Sequence, residues 1–90
     1  MNERRIFARI NIKIPVKFLN PTNGREGKAE TVDISANGVG FVTKEILSAQ
    51  TPLEMWLVIP DNLEPLYTKG EVVWSKVLAG TDQQRVGAYF

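Results

Sequence analysis

The sequence predicts an all-β chain, folded as a small six-stranded antiparallel β-barrel with little or no helix. Three observations carry this reading. Apolar residues recur mostly with a period of two rather than 3.6. Clusters of Gly, Pro, Asn and Asp separate the alternating runs at short spacing, as turns do between strands. The chain has 90 residues, enough for one domain, and several apolar strands in so small a domain must hide their edges. Closure into a barrel does that most completely.

The first strand is expected from Ile10 to Phe18. Ile10, Ile12, Ile14, Val16 and Phe18 alternate with Asn11, Lys13, Pro15 and Lys17, which turns the even positions inward. Pro15 cannot donate to a ladder, so it marks an edge or a bulge. Pro21-Thr22-Asn23-Gly24 reads as a turn. The next strand runs from about Lys28 to Ile34, with Val32 and Ile34 on one face and Thr31, Asp33 and Ser35 on the outward one. Ser35 to Gly38 turns the chain, and Asn37-Gly38 is a hairpin dipeptide because both residues tolerate positive φ. Val39, Phe41 and Thr43 then alternate with Gly40 and Val42.

Lys44 to Ser48 has room for one helical turn at most. Leu53, Met55, Leu57 and Ile59 alternate with Glu54, Trp56 and Val58 in a further strand, and Pro60 to Pro65 is a loop. Trp56 and Val58 are apolar on the face opposite Leu53, Met55 and Leu57. Either that strand is buried on both faces or the two residues need a cover. A long strand follows from Leu66 to about Leu78, with Gly70 as the expected bend or bulge. Trp74 is in phase with Val72 and is therefore expected in the core. Ala79-Gly80-Thr81-Asp82 is the last turn, and Arg85 to Phe90 closes the set with Val86, Ala88 and Phe90 in register.

Composition narrows the functional classes. The hydrophobic share is 43% with two Trp, sufficient for one core. There is no Cys, which excludes a disulfide framework and a thiolate metal site. There is no His either, which removes the commonest general base and the commonest metal ligand together. No metal site and no catalytic group are expected. The net charge is +1, unlike a nucleic-acid coat. Yet 7 of the 11 basic residues (Arg4, Arg5, Arg9, Lys13, Lys17, Arg25 and Lys28) fall in the first 28 positions. That concentration suits a local anion site near the N-terminus. No apolar stretch behind Met1 is long enough for a signal peptide, and no run reaches transmembrane length. A cytoplasmic protein with no direct membrane insertion is expected.

Two motifs carry chemistry. Arg5 and Arg9 form R-x-x-x-R, and the alternation extrapolated backwards places both on the outward face with Asn11 and Lys13. They stand roughly 13 Å apart if extended and roughly 6 Å apart if helical. A guanidinium grips phosphate oxygens bidentately and stacks on purine faces. Such a pair is equally compatible with a solvated basic tail. Asp33-Ile34-Ser35-Ala36-Asn37-Gly38 forms D-x-S-x-x-G. An ionised carboxylate is acceptor-only and suits the N1–H and N2–H₂ donors of guanine, while a serine hydroxyl adds a bond to base or phosphate. The same residues also make turns through side-chain-to-backbone bonds. Gly38 and Gly40 carry no side chain that would block a surface ligand.

R-x-x-x-R followed by D-x-S-x-x-G at a turn, on a β-barrel pattern, resembles the PilZ domain family. Gly70-Glu71-Val72-Val73-Trp74 and Val86-Gly87-Ala88-Tyr89-Phe90 are similar to the later strands of such domains, so the likeness spans nearly the whole chain. It implies a single domain over residues 1–90, with residues 1–9 a flexible N-terminal arm and 10–90 the barrel. It implies a bacterial receptor for the second messenger cyclic di-GMP that uses no cofactor and signals to an unidentified downstream protein by changing conformation. Arg5 and Arg9 would hold phosphates and stack on guanine. Asp33 and Ser35 would read a guanine edge, and Gly38 would shape the loop. Arg4, just before the motif, leans towards binding of a stacked ligand pair. Many relatives continue into a C-terminal helix that covers the barrel. This chain stops at Phe90, so that cover is expected to be missing or to belong to a partner. Oligomerisation stays open.

Three rival classes stand against this reading. An enzyme is disfavoured, because Asp33 and Ser35 at alternate strand positions lie side by side rather than in a relay, with no His as base. A small-barrel nucleic-acid binder would use Tyr67, Tyr89 and Trp56 as stacking platforms. A barrel that binds only proteins would not need the motif residues, which are all present here.

Overall fold

The computed structural model of the protein describes residues 9–61 and 64–90. Seven strands form one antiparallel sheet: β1 (Ile10–Asn11), β2 (Pro15–Asn20), β3 (Arg25–Ser35), β4 (Gly38–Thr43), β5 (Pro52–Leu57), β6 (Leu66–Val77) and β7 (Gln84–Tyr89). Pairing runs β3-β2-β5-β6-β7-β4, and β4 returns to β3, so six strands close into a barrel. The two-residue β1 is an addition along β3, opposite Ile34 and Asp33. No helix occurs among the described residues, and Lys44 and Glu45 form a bend.

The interior is what the period-two pattern requires. Val16, Phe18, Val39, Phe41, Leu53, Met55, Leu57, Val72, Val86 and Ala88 are buried together. Register explains how they meet, since residues directly opposite share a face. Phe18 stands opposite Met55 on β5 and Gly27 on β3. A Cβ on Gly27 would lie 2.4 Å from Phe18 Cζ, so the Phe18 ring occupies the space that glycine leaves. Phe41 packs its ring 6.0 Å from that of Phe18.

Several sequence expectations are corrected. The first strand is not continuous: residues 12–14 leave the ladder, and Ile10 is 63% exposed rather than inward. β1 has a neighbour on one side alone, and the break lies opposite Val32, where β3 bulges against β4. Thr31 bridges the break, accepting from the Ile14 N–H and donating to the Ile12 carbonyl. The irregularity of β6 is not at Gly70 but between Val72 and Trp74. Gly70 instead permits close packing, since a Cβ there would meet Met55 Cε at 2.7 Å and the Tyr89 carbonyl oxygen at 2.8 Å. Trp74 is not core: the bulge at Val73 turns it to the outer wall, where it is 46% exposed. Phe90 lies past β7 and is exposed, and its N–H donates to the Asn37 carbonyl. Neither Asn37 nor Gly38 has positive φ.

The Trp56 alternatives resolve towards the outer wall. Trp56 is half-buried, Val58 is exposed, and the Trp56 ring leans on Tyr67 with centroids 5.3 Å apart. The Tyr67 phenol donates to Glu54 Oε1 at 2.7 Å. That bond, then desolvation and the carboxylate's charge, push its pKa above the ordinary value.

Truncating Phe41 should be costly, because its ring is wholly buried at the centre of the barrel. Phe41→Ala should lose about 3–5 kcal/mol of unfolding free energy in a urea titration, a large share of the roughly 5–15 kcal/mol usual for such domains. A loss under about 1 kcal/mol would place the core elsewhere.

Candidate functional site

Two bulges and two glycines build a hollow on the outer wall of the barrel. On β3, Thr31 stands opposite Phe41 and therefore faces inward. Val32 is the extra residue, and Asp33 then stands opposite Gly40. A β-bulge inserts one residue and reverses the alternation beyond it. Asp33 consequently faces outward, as does Ser35 opposite Gly38. On β6 the same device acts in mirror fashion: Val72 stands opposite Ala88, Val73 is extra, and Trp74 stands opposite Gly87. Between them Gly40 pairs with Gly87 without interruption. One outer row thus reads Asp33, Gly40, Gly87, Trp74: a carboxylate and an indole facing each other across a glycine floor.

The floor must be glycine. A Cβ on Gly40 would lie 2.8 Å from Asp33 Oδ1, and one on Gly87 would lie 2.4 Å from Trp74 Nε1. Gly38 serves a different end, since its Cβ would meet the Ala88 carbonyl oxygen at 2.6 Å. It allows β4 to lie close against β7. Its φ is not left-handed, so the reason for glycine is contact rather than conformation.

Two guanidinium groups converge on the carboxylate. Arg9 Nη1 donates to Asp33 Oδ1 at 2.8 Å. Arg85 Nη2 lies 3.5 Å from Asp33 Oδ2. The Asp33 side chain is 12% exposed, against 61% for Arg9 and 41% for Arg85. A carboxylate so withdrawn from water needs a counter-ion, and here it has one at each oxygen. The Nε of Arg85 is buried without a hydrogen-bond partner among the described residues. Arg9, Asp33, Gly38, Gly40, Trp74, Arg85, Gly87 and Tyr89 surround a hollow of about 410 Å³. Such a site combines acceptor, cations, a flat floor and an aromatic face, a set suited to a planar heterocycle bearing phosphate.

The expected site residues fare differently. Arg9, Asp33 and Gly38 come together in this hollow. Ser35 does not line it: the residue is buried, and its hydroxyl donates to Asn37 Oδ1 at 2.7 Å, inside the turn. Arg4 and Arg5 lie outside the described residues. Sequence reasoning missed Arg85 and misplaced Trp74. Trp74 was misplaced because an alternation count carries past a bulge without registering it, and Arg85 was missed because it stands on β7, across β4 from Asp33. The Gly40–Gly87 pairing was the available signal, because two small residues on adjacent strands open a gap that something must line. A larger hollow, about 650 Å³, lies on the opposite wall beside Lys17, Lys28 and Trp56. Neither lysine there has an ion pair among the described residues, so no polar arrangement has been assembled as it has around Asp33. No group of three metal-ligating side chains occurs among the described residues, and no helix there is long and apolar enough to cross a membrane.

The sequence model of the PilZ domain family matches residues 3–90. No curated protein matches the chain by sequence. Among solved structures it is similar to the inhibitor of motility MotI/DgrA of Bacillus subtilis, with 17% identity and a TM-score of 0.74 over 98% of this chain. It spans 43% of that protein's length. It is also similar to the PilZ domain of YcgR from Escherichia coli, whose structure contains c-di-GMP, with 14% identity, a TM-score of 0.74, and coverage of 97% of this chain and 77% of that one. At these identities the two likenesses show a shared fold.

The glycine floor makes a prediction that needs no ligand. Gly87→Ala should lift the indole of Trp74 off β7 into water. In a Trp56→Phe background, leaving Trp74 as the sole indole, the fluorescence maximum should move to longer wavelength. An unchanged spectrum in a folded variant would mean that Trp74 does not rest on Gly87.

Proposed function

We propose that this chain, which belongs to the PilZ domain family, is a receptor for cyclic di-GMP, bound in the hollow between Asp33 and Trp74. The observation that carries the reading is the meeting of Arg9 and Asp33, one from each sequence motif, at a hydrogen bond on the outer wall. A site for a guanine nucleotide needs both members. The arginine matches phosphate, and the carboxylate matches the N1–H and N2–H₂ donors that distinguish guanine from adenine.

The roles follow from the chemistry of each group. Arg9 exchanges its bond to Asp33 for a phosphate, and Arg5 joins it on the phosphates or on a guanine face. Arg4 adds charge that favours a second, stacked ligand. Asp33 accepts from a guanine edge. The Trp74 indole supplies a stacking face. Ser35 contributes through the Asn37 turn beside Gly38. No proton transfer or nucleophile is required, and the protein acts as a receptor rather than an enzyme, without a metal or cofactor.

The output is a change of surface. In this reading, the ligand draws the N-terminal segment onto the barrel, and the altered face is offered to a downstream protein in the cytoplasm. Two facts about the neighbours support the reading: the YcgR domain is seen with c-di-GMP, and MotI is named an inhibitor of motility.

Calorimetric titration with cyclic di-GMP, with GTP and cyclic di-AMP as controls, tests it. Saturable binding of cyclic di-GMP alone is expected. Arg9→Ala removes at least one charge-assisted contact and should weaken binding roughly ten- to a hundredfold. Asp33→Ala should weaken cyclic di-GMP more than an analogue that lacks the guanine donors. Folded protein that binds none of the three nucleotides would retire the reading in favour of a barrel that works through protein partners alone.

A further inference from the structure

We propose that Arg85 is a positioning residue, holding Oδ2 of Asp33 so that the carboxylate stays aimed at a guanine edge once Arg9 has moved to a phosphate. The inference rests on the cyclic di-GMP reading and deepens it by naming what sets its base specificity.

The argument starts from the two cations. Arg9 precedes β1 and its side chain is mostly in water, whereas Arg85 lies within β7, paired with Val42 on one side and Lys76 on the other. Arg9 is therefore the group able to leave. Its departure would strip Oδ1 of its one hydrogen-bonded cation while Asp33 remained withdrawn from solvent. An uncompensated carboxylate there carries a heavy desolvation penalty, which would oppose ligand binding. Arg85 removes that penalty because it approaches the other oxygen.

Acceptor geometry agrees. An ionised carboxylate has about four acceptor sites, two on each oxygen. Guanine's N1–H and N2–H₂ need one on each oxygen. Arg85, once closed on Oδ2, would use one, so the edge facing the ligand stays open and the plane of the carboxylate is fixed. Nothing else competes for Arg85: Asp33 is its one ion-pair partner among the described residues, and its buried Nε has no hydrogen-bond partner among them. The separation of 3.5 Å is longer than a hydrogen bond. It leaves room for the guanidinium to close on Oδ2 when Arg9 goes. Lys76, directly across from Arg85, supplies a like charge that disfavours the opposite swing, towards β6.

The test separates aim from mere stability. Cyclic di-IMP keeps both phosphates, N1–H and O6 of the ligand but lacks the N2 amino donors. Parent protein, Arg85→Gln, Arg85→Lys and Asp33→Asn are titrated with both ligands, and the thermal midpoint of each is recorded. The parent should prefer cyclic di-GMP about tenfold or more, the worth of a charge-assisted bond. Arg85→Gln should lose most of that preference, weakening cyclic di-GMP about tenfold and cyclic di-IMP less than about threefold. Arg85→Lys should recover part of it, since it keeps the charge without the planar fork. A parallel loss for both ligands, accompanied by a lowered midpoint, would make Arg85 structural and overturn the inference. So would an intact preference in Arg85→Gln when Asp33→Asn has lost it, and in that case the cyclic di-GMP reading survives. A folded parent that binds neither ligand overturns that reading and this inference together.

Discussion

The outer site depends on two single-residue insertions. Val32 on β3 and Val73 on β6 each break the strict alternation of a strand. Without them, Asp33 would share the face of Thr31 and point into an apolar barrel, and Trp74 would share the face of Val72. A carboxylate inside that barrel would have no counter-ion, and an indole there would have to find room among side chains already buried together. The bulges turn both outward at one level, opposite the uninterrupted pair Gly40–Gly87. The packing constraint and the functional geometry therefore have one origin.

This explains which parts of the molecule were legible in the sequence. The barrel was readable because the alternation in Val39–Thr43, Leu53–Leu57 and Val86–Ala88 is strict, and each run faces the core as its period requires. The outward direction of Asp33 and Ser35 was readable too, since Ile34 beside them had to be inward, but the same count put Thr31 outward, and on the other side of the bulge it faces the core. Residues near the insertions were not. Counting by twos through Val73 puts Trp74 in the core, and counting by twos from Phe18 back to Ile10 buries an isoleucine that is exposed. A bulge leaves no compositional trace, since Val is an ordinary strand residue at both places. Glycine was a misleading guide for the same reason. Gly70 looked like the irregular point, yet it is needed because Met55 and Tyr89 press on it from two sides. The partnership of Arg85 with Asp33 was beyond reach, because the two residues stand on strands separated by β4.

The D-x-S-x-x-G motif divides its labour. Asp33 faces the hollow, while Ser35 and Asn37 bond to each other and hold the turn. Gly38 lets the β4 end of that turn lie against β7. Turn chemistry and an outward carboxylate are thus compatible in one motif. Three of the four positions fix the local backbone, and their effect is to hold the fourth at one place on the wall.

Charge balance adds a last step. Asp33 is held by a cation from outside the barrel wall and another from within it, and the two differ in what it costs to move them. Arg9 is exposed, so transferring it to another anion leaves its own hydration little changed. Arg85 is anchored in a ladder and cannot follow a ligand away. A site built on one exposed and one ladder-anchored guanidinium could, in the proposed reading, exchange partners without leaving its buried carboxylate alone. With the mobile cation alone, ligand capture would have to work against the desolvation of Asp33. With two fixed cations, no arginine could move to the phosphate. In the proposed site, the asymmetry between Arg9 and Arg85 would let a buried carboxylate stand beside a bound phosphate on this wall.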